Sequence, residues 1–399
     1  MVYFDGFPVE LIVQQLQESD FVGIKSLREV HSRVDDIVKE NAAHIFRGLR
    51  NSHPVLVTDQ CRNLFRRIAL INHQSVLCHN IDEYISLLNI QTSTDLLLKN
   101  NPELSTYMFD LGAQIQRLAC ACLTTLHDKL DTALYPASDS TLAGEEELYG
   151  AAYSFSWVEE YRVYRALWYM CYHSDLHDAL DRWNWPSESI SRLNESIIML
   201  HIKGFIIYEI RQVKWALKKL GLRCVAEPRW FRTKKGPLPL FPTITSFSAI
   251  TPFSCAEYPV WPCPTLPAES DGNDIWGRSF HASQAQSQAL RCLWLCSIAV
   301  LNYATYFAVP HISTMRLFQS LGLFIWDDRR MFTLGLVRLV PIGPRPGTLT
   351  PARRLHGPAI PSSWTRLYRR ILGLSGRHPN ATLPPPKKGW WENWAGFGF

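Results

Sequence analysis

Residues 7–37 read FPVELIVQQLQESDFVGIKSLREVHSRVDDI and decide how the chain is organised. Pro8 suits the first turn of a helix, since its missing N–H would have no partner there, and Glu10 stands at the positive end of the helix dipole. Ser19 or Asp20 can cap a second helix, in which apolar residues recur at three-residue spacing. We therefore predict two or three short helices whose apolar faces need either the rest of the chain or a partner protein to cover them.

The spacing of residues within this stretch resembles the F-box, a motif of ubiquitin-ligase receptor subunits. The matching segments have the order and spacing of the F-box motif, with no insertion or deletion between them: Phe7-Pro8-Val9-Glu10-Leu11, Leu16, Asp20-Phe21 and Leu27-Arg28-Glu29-Val30. Members of that family bind a Skp adaptor, which docks them on a cullin so that the rest of the chain presents a protein substrate for ubiquitylation. The resemblance implies adaptor contacts at Phe7, Pro8, Glu10, Leu11, Ile12, Leu16, Phe21, Ile24, Leu27 and Val30.

Two later tracts are similar to parts of large fungal F-box proteins. They are YRVYRALWYM at 161–170 and GLFIWDDRRM at 322–331. The resemblance covers about residues 1–340, but it implies no particular substrate. The alternative is a non-catalytic helical scaffold whose N-terminal helices pack on its own body and bind no adaptor. A cytoplasmic or nuclear location is expected because the first residues, MVYFDG, show neither the basic segment nor the long apolar segment of a secretion signal.

Helical periodicity dominates the sequence outside its Pro-rich stretches, so the predicted fold class is mainly α. Between Pro228 and Pro267 nine prolines rule out a continuous helix. Helix is expected again over about 283–309 and 313–324. The predicted units are a helical F-box (1–46), an irregular helical body (47–220), a Pro-rich connector (221–275), a C-terminal helical segment (276–340) and a disordered basic tail (341–399).

Charge and cysteine content narrow the class of protein further. After Asp328 the chain has twelve Lys or Arg residues against the single Glu392, so that segment carries +11 and the remainder −6, which together give +5. A basic tail of this kind attracts acidic partners without selectivity. The ten cysteines include no CxxC pair and no zinc-finger spacing, which predicts free thiols in a reduced intracellular compartment.

One stretch, 292–315, contains no Lys, Arg, Asp or Glu and is long enough to span a bilayer. Polar residues such as Asn302 and His311 interrupt its apolar pattern, and a helix surrounded by other helices has the same composition. A buried helix is therefore the favoured interpretation, and a membrane span is the alternative.

Motifs for catalysis or cofactor binding do not appear in the sequence. His173 and His177 have the helical spacing of metal ligands, but no Glu follows His173 directly and no third ligand is evident, so a solvated polar face is favoured. The basic and aromatic run 229–235 lies within the Pro-rich connector, where a solvated loop is favoured over a nucleic-acid site. We expect no enzyme activity, no cofactor or metal, no specific nucleic acid and no membrane partner.

Overall fold

The structure is a computed structural model, and about 80% of the part that it describes is helical with no strand, which confirms the mainly α prediction. The described residues are 6–53, 55–89, 94–99, 101–134, 155–190, 192–193, 206–222, 258–262, 321–323, 325–326 and 330. Several predictions concern residues outside this set: the helix at 283–309, the candidate span at 292–315, the basic run at 229–235 and the tail at 341–399.

The helices of the described part agree with the helical periodicity of the sequence. In chain order they are α1 (Val9–Glu18), α2 (Phe21–Val30), α3 (Ser32–Ser52), α4 (Asp59–Asn72), α5 (Ile81–Asn89), α6 (Thr94–Lys99), α7 (Pro102–Leu134), α8 (Trp157–Trp183) and α9 (Ile206–Lys219). The predicted domain boundary at residue 46 falls inside α3, which has a kink at Asn41. A single helix therefore joins the F-box-like segment to the body.

Side-chain caps fix where the helices begin. Asp20 caps α2 by accepting a hydrogen bond from the backbone N–H of Gly23 at 2.7 Å. Ser156 and Glu159 form a reciprocal capping box at the start of α8. Asn184 ends α8 in the left-handed conformation, with φ of 52°. These short-range signals are readable in the sequence because each involves residues at most three positions apart.

Helix α8 lies at the centre of the fold. α4, α7 and α9 pack against it, and its large side chains Tyr164 and Trp168 are fully enclosed. The structure encloses α8 on several of its faces. Charged residues of α8 are consequently buried, among them Glu159 and Arg165. Such groups need partners inside the protein, because burying an unpaired charge is costly.

The N-terminal helices belong to the same hydrophobic core as α8. α1 lies along α3, and α2 packs against α3 and α7. α3 also contacts α6 and α7. The chain therefore covers the inner faces of its F-box-like helices itself and leaves only their outer faces to a partner.

Two short C-terminal pieces complete the described part of the body. Residues 258–262 bring Trp261 against α7 and α8. Residues 321–323 form a turn rather than the end of the helix predicted over 313–324, with Gly322 at φ +70°. Glycine is needed there because a side chain is strained at that φ and a β-carbon would lie 2.9 Å from the Trp326 ring. The prediction of helix at these three residues is wrong.

Candidate docking surface on the N-terminal helices

Helices α1 and α2 turn several of the expected adaptor contacts towards the chain's own core. Ile12 and Leu16 of α1, and Phe21 and Ile24 of α2, expose at most 2% of their surface. Leu27 is half-buried and packs against the same core. The first four are therefore packing residues in this structure, since a partner reaches them only if α1 and α2 leave the body.

Phe21 makes the most extensive aromatic contacts of these residues. Its ring centroid lies 5.4 to 6.5 Å from those of His53, Phe65, Phe109 and Trp168. α7 makes room for it with Gly112, where a β-carbon would come within 2.4 Å of the Phe21 ring. The close approach of α2 to α7 thus depends on a large residue on one helix and a missing side chain on the other.

A polar contact joins the start of α2 to α7 beside this aromatic cluster. Gln116, which is fully buried on α7, donates from Nε2 to Asp20 Oδ2 at 2.6 Å. Its Oε1 accepts the backbone N–H of Val22 at 3.2 Å. The cap of α2 is therefore bonded both to its own helix and to the body, which fixes the orientation of the helix.

An ion-pair cluster ties α2 to both α3 and α7. Arg28 donates to Asp35 at 2.8 Å and to Asp110 at 3.2 Å. Burial alone would raise the pKa of Asp35, but hydrogen bonds from Lys39 and Arg28 outweigh it and lower that pKa. The N-terminal helices are held by packing, hydrogen bonds and ion pairs together, so they form an integral part of the body.

Four apolar residues of the N-terminal helices are exposed, and we refer to these four together as the N-terminal apolar patch: Phe7, Val9, Leu11 and Val30, with exposed fractions of 44, 39, 52 and 69%. They account for four of the seven large hydrophobic residues that are exposed within the described part of the chain. Arg33 donates to the backbone carbonyl of Phe7 at 2.9 Å, which places the start of α1 beside the α2–α3 junction where Val30 lies. Pro8 and Glu10 are exposed in the same region.

Cysteine residues of the described part are buried, and burial lowers the reactivity of their thiols. Burial raises the pKa of Cys61 and Cys120 to about 12 and raises that of Cys171 as well. Thiols with such pKa values stay protonated at neutral pH and are poor nucleophiles. All five cysteines described by the structure are free thiols.

An enclosed ion pair links α8 to α9. Arg165 donates to both carboxylate oxygens of Glu209, and its Nη1 donates to Gln60 Oε1 at 2.9 Å. Burial would lower the pKa of Arg165, but the Glu209 carboxylate outweighs it and raises that pKa. Tyr161 donates to the same Gln60 oxygen at 2.7 Å. These residues satisfy one another's hydrogen bonds inside the core, so their role is structural.

His53 is a buried base beside Phe21. Its Nδ1 accepts the backbone N–H of Val55 at 3.3 Å, so the neutral ring carries its proton on Nε2. Burial lowers the pKa of His53 to about 4, against a smaller opposing effect of Asp20. The fold therefore holds the neutral form of this imidazole.

Asp175 on α8 is a buried acid, and its pKa is shifted in the opposite direction to that of His53. Its Oδ2 accepts hydrogen bonds from Tyr107 at 2.8 Å and from Asn72 at 2.6 Å. Burial raises the pKa of Asp175 to about 6, although both hydrogen bonds act in the other direction. The adjacent His173 is buried against Tyr169 and Tyr172. Across the residues that the structure describes, no group of three His, Cys, Asp or Glu side chains is arranged to hold a metal.

A polar site at the start of α8 has no counterpart among the sequence predictions. Glu159 and Glu160 are both fully buried there. Arg330 donates to the two carboxylate oxygens of Glu159 at 2.6 and 2.9 Å, and Trp261 Nε1 donates to Glu160 at 2.6 Å. The Ser156–Glu159 capping pattern marks the helix start in the sequence, but nothing local links Glu159 to a residue 171 positions later.

A second contact joins α8 to the same C-terminal segment. Arg162 donates to the backbone carbonyls of Ile325 and Trp326, at 3.0 and 2.6 Å.

The chain matches no protein-family model, no curated protein and no solved structure. Within the described residues, none of the helices has the length and apolarity that crossing a membrane requires.

Proposed function

We propose that this chain is the substrate-receptor subunit of an SCF-type cullin ubiquitin ligase. A Skp adaptor docks on the N-terminal apolar patch, with Pro8 and Glu10 shaping the start of α1. The observation that carries the proposal is a coincidence of two features: the F-box-like register at 7–30 and the concentration of exposed apolar side chains in the same residues. Exposed apolar side chains within the motif are available for contact with a partner protein.

Burial of part of the motif changes the expected adaptor contact. Leu16 and Phe21 hold α1 and α2 on the body, and Leu11 and Val30 face outwards. The adaptor contact is therefore smaller than the full motif, and it lies on a surface that is rigidly attached to α7 and α8. A rigid attachment suits a receptor, because it fixes the position of a bound substrate relative to the cullin and so reduces the entropy lost on transfer.

The proposed role is non-catalytic, and other subunits of the ligase perform the ubiquitin transfer. The chain contributes two binding surfaces, one for the adaptor and one for a protein substrate. A cytoplasmic or nuclear location belongs to the same proposal, since the ligase works there.

Affinity purification of the tagged full chain followed by mass spectrometry tests the proposal. We expect a Skp adaptor and a cullin to co-purify with the wild-type chain together with further proteins as candidate substrates. Leu11→Asp, at a residue that is 52% exposed, is expected to remove adaptor and cullin together. Recovery of the chain without adaptor or cullin would contradict the proposal.

The second candidate function is a helical scaffold that binds no adaptor. It is favoured by the enclosure of Ile12, Leu16, Phe21 and Ile24 within the chain's own core. Limited proteolysis separates the two candidates. A receptor gains protection at residues 7–11 when purified adaptor is added, whereas a scaffold shows the same cleavage pattern with and without it.

A further inference from the structure

The first turn of α1 differs from the rest of that helix, because its side chains are exposed. Phe7, Pro8 and the first three residues of α1 lie at the surface, and Ile12 is the first residue that the core encloses. Pro8 occupies the N-cap position and makes no side-chain cap hydrogen bond. A helix start without such a cap unwinds more readily, since its first N–H groups lack partners. The first turn of α1 therefore needs a contact from outside the helix to hold its position.

Arg33 supplies a contact of this kind from the first turn of α3. Its Nη2 donates to the backbone carbonyl of Phe7 at 2.9 Å, across 26 positions in the sequence. A guanidinium is always charged and holds its donors in a fixed orientation. Hydrogen bonds from charged donors are stronger than those between neutral groups. The bond therefore ties the residue that precedes the α1 cap to the start of α3.

The backbone that carries Arg33 is itself held in place. Val34, the next residue, is completely buried. Arg28, near the end of α2, donates to Asp35 of α3 at 2.8 Å and to Asp110 of α7 at 3.2 Å. The junction between α2 and α3 is thus joined to the body by packing on one residue and by ion pairs on its neighbours. Through Arg33, the position of this junction determines that of the start of α1.

We propose that Arg33 is a positioning residue of the adaptor site, which acts by holding Phe7 in place relative to Val30. The proposal rests on the adaptor role proposed above and adds a residue that works through Phe7 rather than by touching the adaptor. Phe7 and Val30 belong to different segments of the chain, so one partner surface can use both only if a contact between the segments fixes their separation. The Arg33 bond is such a contact.

The strength of one hydrogen bond sets the size of the expected effect. The net contribution of a single hydrogen bond corresponds to about a fivefold change in an equilibrium constant. Adaptor binding that uses the positioned form of Phe7 is weakened by about this factor when the bond is lost. Arg33→Lys keeps a charged donor on a long side chain, so it is expected to restore part of the affinity that Arg33→Ala loses.

A double-mutant cycle with the full chain and purified Skp adaptor tests the proposal, with Kd measured by isothermal titration calorimetry. We expect Arg33→Ala to weaken binding about fivefold in the wild-type background and by less than about twofold in the Phe7→Ala background, where the positioned ring is missing. Arg47→Ala, at an exposed position of the same helix, is the control and is expected to bind like wild type. Equal losses in the two backgrounds, or no loss in either, would overturn the proposal.

Hydrogen exchange without adaptor measures the positioning itself. The backbone N–H of Ile12 donates to the carbonyl of Pro8 at 3.3 Å, so its exchange reports unwinding of the first turn. We expect about fivefold faster exchange of residues 7–13 in Arg33→Ala, with an unchanged melting temperature. Unchanged exchange in this variant would refute the positioning role, whereas absence of adaptor binding by the wild-type chain would refute the adaptor role on which it rests.

Discussion

Replacing Phe21 by alanine tests whether the F-box-like helices are part of the body. The side chain is 1% exposed and its ring is surrounded by four other rings. Truncation of an enclosed Phe to Ala costs about 3–5 kcal/mol, because apolar burial is lost and a cavity remains. Gly112 already leaves no side chain at this contact, so α7 has nothing with which to fill the cavity. We therefore expect a loss of about 4 kcal/mol.

Urea unfolding measures this loss, with Val30→Ala on the same helix as the control. For an m-value of about 3 kcal/mol per M, the Phe21→Ala midpoint falls by slightly more than about 1 M. Val30 is 69% exposed, so its truncation is expected to change the free energy of unfolding by less than about 0.5 kcal/mol. Hydrogen exchange around Phe109 locates the effect, since α7 lines the cavity.

Two results would refute this reasoning. Equal midpoints for the two variants would mean that Phe21 is not enclosed in solution. Separate unfolding of residues 7–30, with the body's midpoint unchanged, would mean that the N-terminal helices form an independent unit.

Further predictions concern buried charges. The pKa of His53 falls from an ordinary 6.5 to about 4 on folding, so up to about 3 kcal/mol of stability is lost as the pH drops through that range. His53→Gln is expected to flatten the dependence of the urea midpoint on pH between these two values. The pKa of Asp175 changes in the opposite direction on folding, from 3.8 to about 6, so its charged form destabilises the folded chain at pH 7. Asp175→Asn is therefore expected to stabilise the chain at pH 7 by up to about 3 kcal/mol, visible as a higher melting temperature. Glu209→Ala leaves Arg165 charged and buried, and a loss of about 3–5 kcal/mol in urea unfolding is expected. The first prediction is contradicted if the His53→Gln profile is as steep as that of wild type. The second is contradicted by a lower melting temperature for Asp175→Asn, and the third by a loss below about 1 kcal/mol for Glu209→Ala.

Local signals in the sequence predicted the helices of the described part well. The cap at Asp20 and the apolar spacing of α2 involve neighbours in the chain, and such patterns determine where a helix starts and which of its faces is apolar. The sequence pattern does not say what covers the apolar face. Leu11 and Leu16 are equivalent as apolar helix residues, yet the structure exposes the first and encloses the second.

Contacts between distant residues could not be predicted from a single sequence. Glu159 and Glu160 read as ordinary acidic residues in the first turn of a helix, and Arg330 as one of the arginines after Asp328. The pairing of Glu159 with Arg330 depends on how the body folds the chain over 171 positions. The same limit applies to α8, whose burial on several faces depends on the packing of α4, α7 and α9 around it.

The proposed receptor presents the N-terminal apolar patch of its helical body to a Skp adaptor. Measuring the affinity of purified adaptor for the full chain tests it most directly, with Pro8→Ala/Leu11→Asp as the test variant and Leu77→Asp as the control, since Leu77 is 60% exposed outside the patch. We expect wild type and the control to bind equally, and the double variant to lose at least about 30-fold in affinity, or about 2 kcal/mol, with an unchanged melting temperature. Unchanged affinity of the double variant, or no binding by the wild-type chain, would contradict the claim.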